Sequence, residues 1–218
     1  EVIGKIVYYN SGFNVTNIHP FKSYGESGVY RRNGASRAAT YGAVGVMIRS
    51  LSESTDNFPH TGAMAYNDSF PKIPAVALGI QDADIFWQLS KQNTISVSLL
   101  THGKILPDTI GHNVIGEIKG SEFPNEYITI GGHLDSWDLA EGAHDDGTGV
   151  VQTLEVLRTL KALNYQPKHS IRFVLFANEE NGTRGAEKYA AEAKAKNEKH
   201  IFALESDAGG FTPRGFGF

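Results

Sequence analysis

Gly131-Gly132-His133-Leu134-Asp135-Ser136-Trp137-Asp138, then Gly142-Ala143-His144-Asp145-Asp146-Gly147-Thr148-Gly149, then Asn178-Glu179-Glu180-Asn181-Gly182, are the segments on which the reading of this chain turns. A histidine and several carboxylates fall there at the mouths of predicted strands and helices. That is how hard and borderline cations are held and how water is activated beside them. The pattern is expected to form a metal-dependent hydrolytic site.

The frame around these segments alternates strand and helix. Val114 to Lys119 and Tyr127 to Gly131 read as strands joined by a polar turn. Thr148 to Leu163 reads as a helix with Val150, Leu154, Leu157 and Leu160 or Lys161 near one face. Ser170 to Ala177 is a buried strand, Gly185 to Lys196 a second helix, and Ile201 to Glu205 a further strand. This order predicts an α/β fold with a mixed, largely parallel sheet and helices on its faces. His133, the Glu179-Glu180 pair and Asp207 then all follow the carboxyl ends of strands, where open α/β sheets place their ligand crevice. Asp145 precedes a helix whose N-terminal dipole favours an anion.

Each element has a plainer reading. Asp145-Asp146 could be a helix cap, Glu179-Glu180 a solvated turn, and His133 a structural histidine. Taken together, packing so many acids at one sheet edge would be costly without a cation. The metal reading is therefore preferred.

The first half is chemically quieter. Residues 2 to 9 read as a strand rather than a leader, and the polar stretch Tyr24 to Tyr30 has no assigned element. Asn33 to Tyr41 reads as a helix stopped at Gly42, and Val44 to Ile48 as a buried strand. Further apolar runs at Ile73 to Leu78 and Ile95 to Leu100 flank a short helix at Gln81 to Leu89. His19, His60 and His102 lack metal-ligand spacing and read as surface or core histidines. Phe58-Pro59-His60-Thr61-Gly62 is the one loop that could reach a neighbouring site. Lys104 to Asn113, with Pro107 and Gly111, is the natural linker, dividing the chain into domains 1–105 and 106–218.

Composition narrows the function classes. The 218 residues are 40% hydrophobic and 20% charged, with a net charge of −4 and no Lys/Arg-rich run, which disfavours nucleic acid as a partner. There are no cysteines, so a metal must take histidine and carboxylate ligands. No run approaches the ~18 apolar residues a membrane span needs.

Several motifs resemble a known family. His133-Leu134-Asp135-Ser136-Trp137-Asp138, Gly142-Ala143-His144-Asp145-Asp146-Gly147, Glu179-Glu180-Asn181-Gly182 and Glu205-Ser206-Asp207-Ala208-Gly209 are similar to the signature segments of the dizinc exopeptidases, which include aminopeptidases and glutamate carboxypeptidases. Gly4-Lys5-Ile6-Val7, Asn33-Gly34-Ala35 through Ala39, and Gly42-Ala43-Val44-Gly45-Val46 resemble the protease-associated domain, a β-rich module without catalytic residues that shapes access to an active site.

The resemblance implies hydrolysis of terminal peptide bonds of dipeptides or short peptides by water between two zinc ions. Asp145 would bridge the ions, His133 and Asp207 would complete one, and Glu180 would bind the other. Glu179 would be the general base, and Asp135 would orient the His133 imidazole. His144 has no ligand role in that family. The family takes its last zinc ligand from a later histidine, so the chain is expected to be a fragment. The resemblance also implies a secreted or periplasmic setting and is compatible with a homodimer. Asn14, Asn67 and Asn181 fit the glycosylation pattern, though a glycan on Asn181 would crowd the site. Two alternatives remain: a glutaminyl cyclase-like single-zinc enzyme, and a non-catalytic receptor or scaffold with the same frame.

Overall fold

The computed structural model describes residues 2–104, 106–138, 140–207 and 209–212. The chain divides into two compact units, Glu1–Leu106 and Pro107–Phe218, considered in turn.

The first unit is built on a parallel sheet ordered β1 (Ile6–Tyr9), β2 (Gly45–Arg49), β3 (Ala75–Leu78). Helix α1 (Pro20–Ala39) links β1 to β2, and α2 (Ile80–Gln92) follows β3. Ala35, Ala38 and Ala39 of α1 form the core with Val46 and Ile48 of β2, together with Ala43 and Ile73. Small side chains on that helix face let its backbone approach the sheet closely. The stretch Tyr24 to Tyr30, left without an element by the sequence, lies inside α1. The buried positions of this part of α1 are Ser23 and Ser27 rather than large apolar residues, and their hydroxyls donate to the Asn14 and Gly12 carbonyls. Gly42 adopts the left-handed region (φ +81°) and ends the turn after α1, while Ala43 N–H returns to the Ala38 carbonyl.

One apolar run of this unit needs placing, and one expectation for the unit needs correcting. Ile95 to Leu100 pairs with no strand among the described residues; Leu99 instead lies against Gly45, so the run packs onto the sheet without extending it. The unit is also less β-rich than expected, since its strands span 4, 5 and 4 residues against helices of 20 and 13.

The second unit holds a mixed sheet ordered β4 (Val114–Ile118), β6 (His169–Phe176), β5 (Phe123–His133), β7 (Lys199–Glu205). Strand β4 runs antiparallel to β6, whereas β5 is parallel to both β6 and β7. Thus β4 and β5, consecutive in sequence, are separated in the sheet by β6. Strand β6 buries Ile171, Phe173, Val174 and Leu175 and so faces cover on both sides. Helix α3 (Gly147–Ala162) connects β5 to β6, and α4 (Arg184–Ala195) connects β6 to β7. On α3 the inward position is Thr153 and not Leu154, which is 47% exposed. Val150, Leu157 and Leu160 remain partly buried, with Leu157 against Gly116 of β4, so the departure is confined to Leu154.

Arg172 is the exception in the apolar run of β6. Its guanidinium donates to Glu117 Oε2 at 2.9 Å, to Glu198 Oε2 at 2.6 Å and to Tyr189 Oη at 3.2 Å. It also lies 3.9 Å from the centroid of the Tyr127 ring. The guanidinium thus ties β4, β5, β6, α4 and the approach to β7 together with two counter-ions, which offsets the cost of its burial.

The hydrogen bond from Arg172 holds the Glu198 carboxyl below its ordinary value, against burial, with His200 adding to the shift. A depressed carboxyl stabilises the fold fully above the ordinary carboxylate range, and that contribution is lost as pH falls through the folded value. Glu198→Gln is expected to destabilise the protein by about 2 kcal/mol at neutral pH. In urea titrations the gap between the variant and the unsubstituted protein should narrow as the pH drops below the ordinary carboxylate range.

Candidate metal centre

Because β5, β6 and β7 are parallel, their carboxyl ends share one edge of the sheet. His133 is the last residue of β5, Glu179 and Glu180 lie in the turn after β6, and Asp207 follows β7. The fourth segment arrives from the N-terminus of α3, capped by Asp146, whose side chain accepts from Gly149 N–H at 3.0 Å. The other Asp146 oxygen accepts from His133 N–H at 2.8 Å, stapling the strand end to the helix start. That approach needs glycine at position 132. A Cβ there would lie 2.7 Å from Asp146 Oδ2 and 2.9 Å from the Gly149 carbonyl carbon. A Cβ at Gly149 would strike the Asp146 carboxylate and the Ser206 carbonyl.

His133 is only 1% exposed. Its Nδ1 lies 2.9 Å from the Asp135 carbonyl oxygen, which can only accept, so Nδ1 carries a proton and Nε2 is turned toward the acids. Nε2 is 3.1 Å from Asp145 Oδ1, 3.2 Å from Asp207 Oδ1 and 4.0 Å from Glu179 Oε2. Among the described residues, His133, Asp145 and Asp207 each offer a ligand atom within 4.8 Å of the others. One nitrogen and two carboxylate oxygens converging in this way fit zinc or a similar borderline cation.

The local charges point the same way. Burial works against a charged His133, but the Asp135 carbonyl, Asp207 and Asp146 outweigh it and push the imidazole up to about 9. In the metal-free protein a proton on Nε2 therefore supplies the positive charge that these acids demand. Glu179 is raised above its ordinary value by burial; His133 opposes this, and Asp207, Asp135 and Asp145 reinforce it. Glu180 is raised by burial and by Asp145 and Glu179.

Of the sequence-predicted residues, the structure brings His133, Asp145 and Asp207 into one group and places Glu179 at its rim. Glu180 stands outside that group. Asp135 departs from its expected role. Its carboxylate lies 3.9 Å from His133 Nδ1, and its two oxygens accept instead from the N–H groups of Glu179 at 2.9 Å and Glu180 at 3.1 Å. Its backbone carbonyl, not its side chain, holds the imidazole. Asp146, 1% exposed, takes the helix-cap role that the sequence offered for the Asp145-Asp146 pair, while its second bond, to His133 N–H, had no signal in the sequence. Outside this site, His60 is tied to the end of β2, its N–H donating to Ser50 Oγ at 2.7 Å and its Nδ1 lying 2.9 Å from the Leu51 carbonyl.

Fold and cluster together define an α/β domain with a candidate metal site at the carboxyl edge of its sheet. Residues 113–218, nearly the whole of the second unit, match the family model described as Peptidase family M28. Over the whole chain the sequence is 38% identical to carboxypeptidase Q of Mus musculus and 37% identical to that of Homo sapiens, covering 45% of each. The chain thus spans about half the length of the curated relatives it matches. Among solved structures it superposes on a peptidase M28 precursor from Shewanella amazonensis SB2B with a TM-score of 0.86 and 38% identity, over 95% of this chain and 47% of that one. The zinc aminopeptidase BSAP of Bacillus subtilis shares the fold, with a TM-score of 0.56 at 22% identity over 95% of this chain and 45% of that one.

The Asp146 staple yields a stability prediction. Asp146→Ala leaves the buried His133 N–H and the start of α3 without an acceptor and is expected to cost about 2–4 kcal/mol. Asp146→Asn keeps one acceptor and should cost about half as much, as read from denaturant midpoints.

Proposed function

We propose that this protein is a zinc-dependent exopeptidase that hydrolyses the terminal peptide bond of dipeptides or short peptides. The observation that carries the reading is the convergence of His133 Nε2, Asp145 and Asp207 in one ligand sphere inside a domain that matches a peptidase family model. The named relatives, carboxypeptidases, support the substrate class. Asp145 would serve two ions, His133 and Asp207 would hold one of them, and Glu180, in the turn after β6, would hold the other. Zinc in such a site supplies Lewis acidity toward a carbonyl oxygen and makes water acidic near neutral pH.

The residues of the chain do the rest. Glu179 sits at the rim of the cluster, 4.0 Å from His133 Nε2, its carboxyl raised above its ordinary value by burial, the direction that favours a proton acceptor. It would take the proton of the attacking water and deliver it to the departing amine. His133, held by the Asp135 carbonyl, keeps its Nε2 lone pair aimed inward once the metal replaces the proton. The first unit is proposed as a protease-associated module, and the setting as secreted or periplasmic. Both proposals rest on the sequence resemblance.

The test uses the full-length protein with zinc and dipeptides of varied sequence. Removal of zinc by a chelator is expected to stop turnover, and added zinc to restore it. Glu179→Gln is expected to keep its zinc and lower kcat by about 10²–10⁴-fold. Loss of zinc from that variant would exchange the roles of the two glutamates, and absence of turnover from zinc-loaded unsubstituted protein on any peptide would overturn the reading.

A further inference from the structure

We infer that Asp135 is a positioning residue that acts through the backbone of the Glu179-Glu180 turn rather than through the imidazole of His133. The inference rests on how its polar atoms are committed. Oδ1 accepts from Glu179 N–H at 2.9 Å and Oδ2 from Glu180 N–H at 3.1 Å, so each oxygen holds one of two consecutive amides. The same carboxylate is 3.9 Å from His133 Nδ1, beyond hydrogen-bond range, while the Asp135 carbonyl takes that nitrogen at 2.9 Å. The side chain is 27% exposed, so the two charge-assisted bonds are only partly screened by water.

Other bonds secure the residues on either side of these two amides: Ala177 N–H donates to Asn113 Oδ1 at 3.0 Å, and the Glu180 side chain is hydrogen-bonded to Trp137. Asn178 enters the turn in the left-handed region (φ +62°), which asparagine tolerates better than most side chains. Glu179 accepts through its carbonyl from Gly182 and Thr183 N–H groups, which closes the far side of the turn. The amides of Glu179 and Glu180 face back toward the loop after β5, and Asp135 is their acceptor. One residue therefore sets both edges of the site: its carbonyl fixes which nitrogen of His133 faces inward, and its carboxylate fixes where the two glutamates begin. A shift of this turn would displace the proposed base and the proposed ligand together, and small displacements of reacting groups are costly to catalysis.

The structural part is tested without metal or substrate, by amide hydrogen exchange and ¹⁵N NMR on the metal-free protein. In the unsubstituted protein the Glu179 and Glu180 amides are expected to be protected. Asp135→Asn, which replaces one acceptor oxygen by a donor, should speed their exchange at least tenfold while the β6 amides and the His133 ring ¹⁵N shifts stay unchanged. Unprotected Glu179 and Glu180 amides in the unsubstituted protein would overturn the inference, whether or not the variant folds. So would a variant in which the ring shifts move and those amides do not. Asp135→Glu, which keeps the charge but lengthens the arm, provides a second variant with the same two readouts.

The kinetic part rests on the proposed peptidase activity. In the zinc-loaded protein Asp135→Asn is expected to lower kcat at least tenfold with KM changed less than threefold. Accelerated exchange in a protein that cleaves no peptide would leave the clamp standing and remove the proposed function. Unchanged exchange in an active peptidase would do the reverse.

Discussion

The bond pair made by Asp146 is the constraint on which the second unit depends. One carboxylate accepts the N–H of His133 at the end of β5 and the N–H of Gly149 in the first turn of α3. Strand and helix can come that close only because position 132 has no Cβ and position 149 has none either. The consequence reaches the site directly, since Asp145 is the residue before the cap. Fixing Asp146 against the strand end fixes Asp145 beside the imidazole. Burial raises the Asp146 carboxyl, yet its two amide bonds and His133 work to keep it ionised.

Electrostatics then give the edge its chemistry. Asp145, Asp207 and Glu179 lie within 4.0 Å of a buried histidine nitrogen, and repulsion among them is relieved only by positive charge. A proton meets that need in the metal-free protein, which is why His133 is driven up to about 9 despite its burial. A divalent cation meets it better, because it can satisfy several carboxylates at once. Metal and proton compete for the same lone pair, so affinity for metal and the protonation of His133 are two aspects of one balance.

The α/β class and most elements were legible because their signals are local. Residues 170 to 177 and 114 to 119 are apolar runs of strand length, and Gly42 stands where a helix stops. The convergence of segments at one edge could be foreseen because parallel strands place their carboxyl ends together. What escaped was tertiary. Helix α1 begins well before its alanine-rich part because Ser23 and Ser27, not apolar side chains, face inward and bond to backbone carbonyls. On α3 Thr153 is buried while Leu154 is exposed, and the close approach at Gly149 lies on the Thr153 side of the helix. The insertion of β6 between β4 and β5 left no trace in the local pattern. The role of the Asp135 side chain could not be read either, because its partners are backbone amides more than forty positions away.

Four aspartates near this edge show how position, more than residue type, assigns a task. Asp146 is buried and spends both oxygens on amides, so it has nothing left for a ligand. Asp135 is partly exposed but equally committed, to the amides of the glutamate turn. Asp145 and Asp207 have side chains 55% and 57% exposed and meet the imidazole from the open side of the cluster. A carboxylate already holding two N–H groups has little reason to leave them, whereas one facing solvent exchanges water for a cation at small cost. The ligand set therefore follows from what the backbone leaves unsatisfied. Two aspartates are consumed in building the edge, and two are left over to use it.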